Sequence, residues 1–231
     1  MMDSSKQKVL ITRPIEDAKA TQDLLQQHGI DADYQPFLSV TLHDVQIDIN
    51  QYSALIFTSR NAVRAYCNSN TQRSINTYCV GDRTAELCQE HGFESVQSAS
   101  GTVQDLQALL AQQKFAKPAL YLRGKDISSP LTHPNISEVV MYETTPITVI
   151  ESDIKEKIRA NHYSDILFFS TRTAKVFTNY ITLNNLKNNL KSTKALCLAE
   201  PMIESLSVLP WKEILVADQP TQVSLLKLLK E

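Results

Sequence analysis

Two stretches of the chain place hydroxyl and guanidinium groups where they can do chemistry. One is Tyr52–Tyr66 (YSALIFTSRNAVRAY) and the other Tyr163–Phe177 (YSDILFFSTRTAKVF). Each joins an apolar, strand-like run to an abrupt polar turn and then a helical pattern. The turns read Thr58-Ser59-Arg60-Asn61 and Ser170-Thr171-Arg172-Thr173. Similar strand ends occur at Thr12-Arg13, Gly81-Asp82-Arg83-Thr84, Arg123-Gly124-Lys125 and Ala199-Glu200-Pro201. Ser59, Thr84 and Ser170 stand at helix starts, where unpaired backbone N–H groups favour carboxylate or phosphate. Arg13, Arg60, Arg123 and Arg172 add positive charge at the same ends. Singly, such a hydroxyl is most often only an N-cap, worth about 1 kcal/mol. The arginines can equally be surface residues or partners of Glu16, Asp82 or Asp126. The case for an anion site rests on the set: Arg13, Ser59, Arg60, Asn61, Thr84, Arg123, Gly124, Ser170, Thr171 and Arg172.

Tyr142, in EVVMYETTP (138–146), is a candidate of another kind. A tyrosine in an extended, half-buried segment is common, but a phenol can also protonate or hydrogen-bond a leaving oxygen. Other chemistries lack their signatures. GxGxxG, GxxxxGK[ST] and HExxH are absent, and no Cys/His cluster has zinc spacing. The five histidines are scattered over helix ends and loops, and nothing marks a Ser–His–Asp system.

The elements that must position these groups alternate in type. Apolar runs at 8–12, 54–58, 76–80, 119–122, 165–169 and 194–198 read as buried strands. Helical patterns occupy 16–28, the segment from Ala62, 84–91, 102–113, 201–206 and 221–229. Gly29 and Gly92 read as stops, and Thr102 to Asp105 as a capping box. Alternating strands and helices imply parallel sheets covered on both faces. The plan also repeats. Gly92–Leu110 parallels Pro210–Leu229, but LYLRGK (120–125) has no counterpart at the C-terminal end. VLITRP (9–14) supplies it from the other end of the chain.

The expected fold is therefore α/β, with two similar parallel-sheet lobes, one of them discontinuous. The discontinuous lobe comprises 1–35 plus 148–231 and the second lobe 46–137. The crossings 36–45 and 138–147 are extended and are expected to pair as a two-stranded antiparallel connector. Ligands of such sheets bind beyond the carboxyl ends of the strands, so the turns of both lobes are expected to face one cleft.

Composition narrows the function classes. The 231 residues are 42% hydrophobic, enough for packed cores, and the formal net charge of −2 argues against a general nucleic-acid binder. The N-terminal stretch is not patterned as a signal peptide, and no apolar run approaches the roughly 18 residues needed to span a membrane. The four cysteines lack CxxC spacing and read as reduced core thiols, as in a cytoplasmic protein.

In the order and spacing of VLITRP, ALIFTSRNAV (54–63), YCVGDRTAELC (78–88), LYLRGKD (120–126), EVVMYETTP and ILFFSTRTA (166–174), the chain resembles the uroporphyrinogen-III synthase family over nearly its whole length. The resemblance implies two α/β lobes joined by a two-stranded ladder. It also implies a cytoplasmic, cofactor-free and metal-free enzyme, expected as a monomer, that cyclises hydroxymethylbilane with loss of water and inversion of ring D. A transient contact with the preceding pathway enzyme is expected as well. By position, the resemblance carries the family's principal catalytic tyrosine onto Tyr142. It carries a substrate-facing threonine onto Thr84 and serines onto Ser59 and Ser170. Met202 falls where some members have threonine, so no hydroxyl contact is expected there. The alternative class is a two-lobed cytoplasmic binding module for a polyanionic small molecule.

Overall fold

The computed structural model describes residues 7–99, 101–127 and 129–230, with the side chains of Glu16 and Lys230 also outside the description. A pairing of any arginine with Glu16 therefore lies outside the described residues. In chain order the elements begin with β1 (Lys8–Ile11), α1 (Ile15–Gln27), β2 (Asp31–Tyr34), β3 (Leu38–Leu42), β4 (Ala54–Phe57) and α2 (Arg60–Ser69). Next come β5 (Asn76–Cys79), α3 (Asp82–Glu90), β6 (Val96–Ser98), α4 (Val103–Ala111), β7 (Ala119–Gly124) and β8 (Ile136–Pro146). The chain finishes with α5 (Ser152–Arg159), β9 (Asp165–Phe168), α6 (Thr171–Leu183), β10 (Lys194–Cys197), α7 (Ile203–Leu206), β11 (Glu213–Val216) and α8 (Gln222–Lys227).

These elements form two compact units, Met1–Ser39 with Thr145–Glu231, and Val40–Thr144. The first has a five-stranded sheet of order β11-β10-β9-β1-β2. Every pairing in it is parallel. The second has a sheet of order β3-β8-β7-β4-β5-β6, parallel from β8 to β6. From β11 to β2 and from β6 to β8 the two orders correspond strand for strand. β1, at the start of the chain, sits between β9 and β2 as β7 sits between β4 and β8. The N-terminal strand thus completes the sheet of the C-terminal half. Its apolar residues explain why: Val9, Leu10 and Ile11 are fully buried, facing alternately the two cores that cover the sheet.

Local signals locate most helix ends. His28 caps α1, and Gly29 follows at φ +72°, the left-handed backbone that stops a helix most readily with glycine. Thr102 and Asp105 form the capping box opening α4. The chain over residues 34–43 is not one continuous strand. It is broken after Tyr34, and β2 precedes the break at 31–34, a strand that its polar sequence Asp-Ala-Asp-Tyr conceals. The break falls at Gln35-Pro36, where proline has no N–H to donate and the Gln35 side chain bonds the backbone N–H of Glu151 at 3.0 Å. β2 is held from the side as well, since Tyr163 donates to Asp33 at 2.7 Å and Lys157 does so at 2.8 Å. Residues 201–206 are only partly α-helical, because a 3-10 turn over Glu200–Met202 precedes α7.

The segment 138–147 is more than a crossing. β8 pairs in parallel with β7 from Ile136 onward and has β3 as its other neighbour. His43 N–H bonds the Met141 carbonyl at 2.8 Å and Ile147 N–H the Phe37 carbonyl at 3.0 Å. Position along β3 therefore rises as position along β8 falls, the antiparallel sense.

Candidate active site

In a doubly wound sheet the crevice that binds ligands lies where the strand order reverses. In the second unit the chain runs from β4 outward through β5 and β6, then returns to β7 and β8. The reversal is between β4 and β7. In the first unit the equivalent point lies between β9 and β1.

At the first unit's reversal, the protein fills the space itself. Thr12 is fully buried and donates to the Leu167 carbonyl at 2.7 Å. Arg13, 7% exposed, lies 4.1 Å over the Phe169 ring. Its guanidinium donates to Thr21 at 3.2 Å, to Gln222 at 2.9 Å and to Asp17 at 3.2 Å. Arg13 therefore ties α1 and α8 to the end of β1, and its surroundings are those of a structural arginine. Ser170 caps α6, accepting from Thr173 N–H at 3.1 Å and sharing a 2.8 Å hydrogen bond with the Thr173 hydroxyl. Thr171 and Arg172, both half-buried, form the first turn of α6 with no acidic residue among them. Met202 is 3% exposed and packs with Phe168, Phe177 and Leu206. Position 202 is here part of an apolar core.

The second unit has more polar groups at its reversal. Ser59 caps α2, accepting from Asn61 N–H at 3.2 Å, and the Asn61 side chain accepts from Arg64 at 3.0 Å. Arg60 stands in the first turn of α2, again with no acidic residue there. A cation at a helix N-terminus opposes the helix dipole by roughly 0.3–1 kcal/mol. Arg60 and Arg172 both lie in the first turn of such a helix. Neighbouring α3 begins differently. Gly81 is its N-cap and offers no side-chain oxygen. Thr84, in the first turn, is 7% exposed, and its hydroxyl makes no hydrogen bond among the described residues.

Arg123, at the end of β7, is engaged at close range. It pairs with Glu138 at 2.7 Å and also donates to the Gly124 carbonyl at 2.9 Å and the Lys125 carbonyl at 3.3 Å. Like Arg13, it holds strands in place, with a partner that sequence reasoning did not name. Tyr142 stands opposite Gly124, its half-buried ring packed against the core beneath β4 and β7. The Tyr142 hydroxyl makes no hydrogen bond among the described residues. The Thr58 hydroxyl, one strand further in, shares a 2.9 Å hydrogen bond with the hydroxyl of Tyr121, which is 1% exposed. Burial pushes the Tyr121 phenol above its ordinary range. Tyr142 and Glu138 add to this, and the Thr58 hydrogen bond and Arg123 oppose it. Tyr121 was missed by sequence reasoning and Thr58 was read only as part of a turn, because neither shows its pairing until the sheet forms. Among the described residues no group of His, Cys, Asp or Glu is arranged to hold a metal ion.

The arrangement defines a class: paired doubly wound α/β units whose strand ends carry hydroxyl-capped helices, arginines and a tyrosine in place of a phosphate loop. A family model described as uroporphyrinogen-III synthase HemD matches residues 19–227, and the chain belongs to that family. Two solved structures illustrate the fold. A uroporphyrinogen-III synthetase from Helicobacter pylori is 20% identical, with a TM-score of 0.65 and coverage of 96% of this chain and 97% of its own. A mutant uroporphyrinogen III synthase from Thermus thermophilus is 14% identical, with a TM-score of 0.54 and 97% of each chain covered. No curated protein matches the chain in sequence. By family, the protein is a cyclising lyase of heme biosynthesis that closes hydroxymethylbilane to uroporphyrinogen III, with inversion of ring D and loss of water. Among the described residues no helix is long and apolar enough to cross a membrane.

Proposed function

We propose that Tyr142 assists departure of the hydroxyl group from hydroxymethylbilane and that the strand-end groups of each unit hold the substrate's carboxylates. The observation that carries this reading is the phenol of Tyr142, uncommitted to any hydrogen bond among the described residues and placed beside the strand reversal of the second unit. As the carbon–oxygen bond breaks, the phenol donates its proton, the oxygen leaves as water, and the electron pairs of the pyrrole stabilise the cation left behind. Ring D attacks that cation at its substituted carbon, forming a spiro intermediate that reopens and closes in the inverted order. The same cation closes directly to the type I isomer without an enzyme. The protein's main task is therefore orientation, which in favourable cases supplies roughly 7–11 kcal/mol of a barrier.

Thr84, Ser59, Asn61, Ser170 and Thr171 supply hydroxyls, an amide and helix N-terminal N–H groups for carboxylates. Arg60 and Arg172 supply the charge. Arg13 in the first unit, and Arg123 and Gly124 in the second, contribute through position. The buried, unbridged cysteines suit a reducing cytoplasm: Cys79 and Cys88 lie 3.7 Å apart as free thiols, and burial pushes the Cys197 thiol up to about 12. The enzyme is proposed to act there as a monomer, in transient contact with the preceding enzyme.

The test is turnover of hydroxymethylbilane, with oxidation of the products and separation of the isomers. Tyr142→Phe is expected to lower kcat by about a hundredfold or more, the scale of general acid catalysis, and to shift product toward type I. Full-rate formation of type III by that variant would remove Tyr142 from the chemistry.

A further inference from the structure

The parallel pairing of β7 with β8 is regular until its last step, where Arg123 faces Val140 but Gly124 faces Tyr142. Met141 is the extra residue, so β8 carries a bulge. In a regular strand Met141 and Tyr142 would point to opposite faces. With the bulge, both pack on the core that also receives Leu120 and Leu122. A bulge redirects a side chain in this way, and here the redirected side chain is Tyr142.

Its ring arrives over Gly124. A Cβ placed on Gly124 would lie 2.7 Å from Tyr142 Cζ, 2.8 Å from its hydroxyl oxygen and 3.1 Å from Cε2. These are well inside contact distance, and the backbone of Gly124 is not in the left-handed region. Glycine is required here for space, not for its φ. The seat is also fixed from below and beside. Gly124 is buried, and its carbonyl accepts from Arg123, which is itself paired with Glu138. The next backbone N–H, that of Lys125, bonds the Tyr142 carbonyl at 2.9 Å.

We infer that Gly124 is a positioning residue for the reaction: the missing side chain at 124 is the seat that sets where the Tyr142 phenol stands. The inference rests on the role proposed for Tyr142. Any side chain at 124 moves the ring by about 1 Å to recover ordinary carbon contacts, and a displacement of that size can cost a hundredfold in rate.

The experiment compares wild type, Gly124→Ala, Tyr142→Ala and the double variant, with Tyr142→Phe as a separate control. Gly124→Ala is expected to lower kcat at least tenfold, to change KM less than threefold and to raise the type I share of product. In the Tyr142→Ala background, where no ring remains to displace, the same substitution is expected to change kcat less than twofold. That double variant should also melt at the temperature of Tyr142→Ala, which keeps the test valid if Gly124→Ala alone is too unstable to assay. Uniform 3-fluorotyrosine labelling gives a readout independent of activity, since the resonance lost in Tyr142→Phe should shift in Gly124→Ala.

An unmoved resonance, or an equal loss of kcat in both backgrounds, overturns the role of Gly124. A moved resonance with wild-type kcat and isomer ratio in Gly124→Ala overturns it too. Full activity in Tyr142→Phe instead sinks the reading of Tyr142 itself, whatever the resonance does.

Discussion

Thr84 is the residue whose setting departs furthest from an ordinary helix start. Thr84 is 7% exposed as a residue, and its hydroxyl, which makes no hydrogen bond among the described residues, is not sealed from solvent. Ser59 and Ser170 each spend an oxygen on capping a helix, but Thr84 does not, because it lies inside the first turn of α3 behind Gly81. That oxygen is not spent on capping the helix, in keeping with the carboxylate contact proposed for it. Thr84→Val keeps the shape and removes the hydroxyl. The variant is expected to melt at or slightly above the wild-type temperature, while kcat/KM for hydroxymethylbilane falls about tenfold, the worth of one hydrogen bond of about 1.4 kcal/mol. Thermal melts and steady-state kinetics check both halves, and a lowered melting temperature with unchanged kinetics would make Thr84 purely structural. Met202 illustrates the opposite choice, with an apolar side chain sealed into the core.

At the scale of elements, α2 and α6 share a design. Each follows a fully buried strand, each is capped by a serine, and each carries an arginine but no acidic residue in its first turn. Positive charge at the positive end of a helix strengthens its attraction for a polyanion. Arg60→Gln and Arg172→Gln are each expected to raise KM about two- to fivefold, as for a partly exposed charge pair, with a smaller change in kcat. The dependence of KM on ionic strength should flatten in both, because screening then has one charge fewer to act on. Steady-state kinetics across a salt series checks this, and an unchanged salt slope would take the arginine out of substrate binding.

At the scale of the molecule, the cores divide as the two units do. Those covering the second sheet draw only on residues 42–142, and those covering the first draw on both ends of the chain. A fragment of residues 40–144 is therefore expected to fold alone, with a cooperative melt followed by circular dichroism. Residues 145–231 alone should not, since β1 occupies an interior place between β9 and β2 and its removal opens the sheet along two rows of backbone hydrogen bonds. A cooperative melt of 145–231 would contradict this account.

Much of this was legible in the sequence. Apolar runs of strand length, helix patterns between them and a repeat with one strand left over suffice to place VLITRP beside the C-terminal half, because burial on two faces demands continuous apolar residues wherever the strand lies. Caps and stops at Thr102 and Gly29 are local events and are written locally. β2 was hidden because an edge strand needs little apolar surface, and Asp-Ala-Asp-Tyr advertises none. Tertiary structure alone decided the partners of the strand-end groups. Those of Arg13 and Arg123 come from residues 17, 21, 222 and 138. It alone revealed the bulge that turns Tyr142 over Gly124, since pairing register is a relation between strands and belongs to neither sequence by itself.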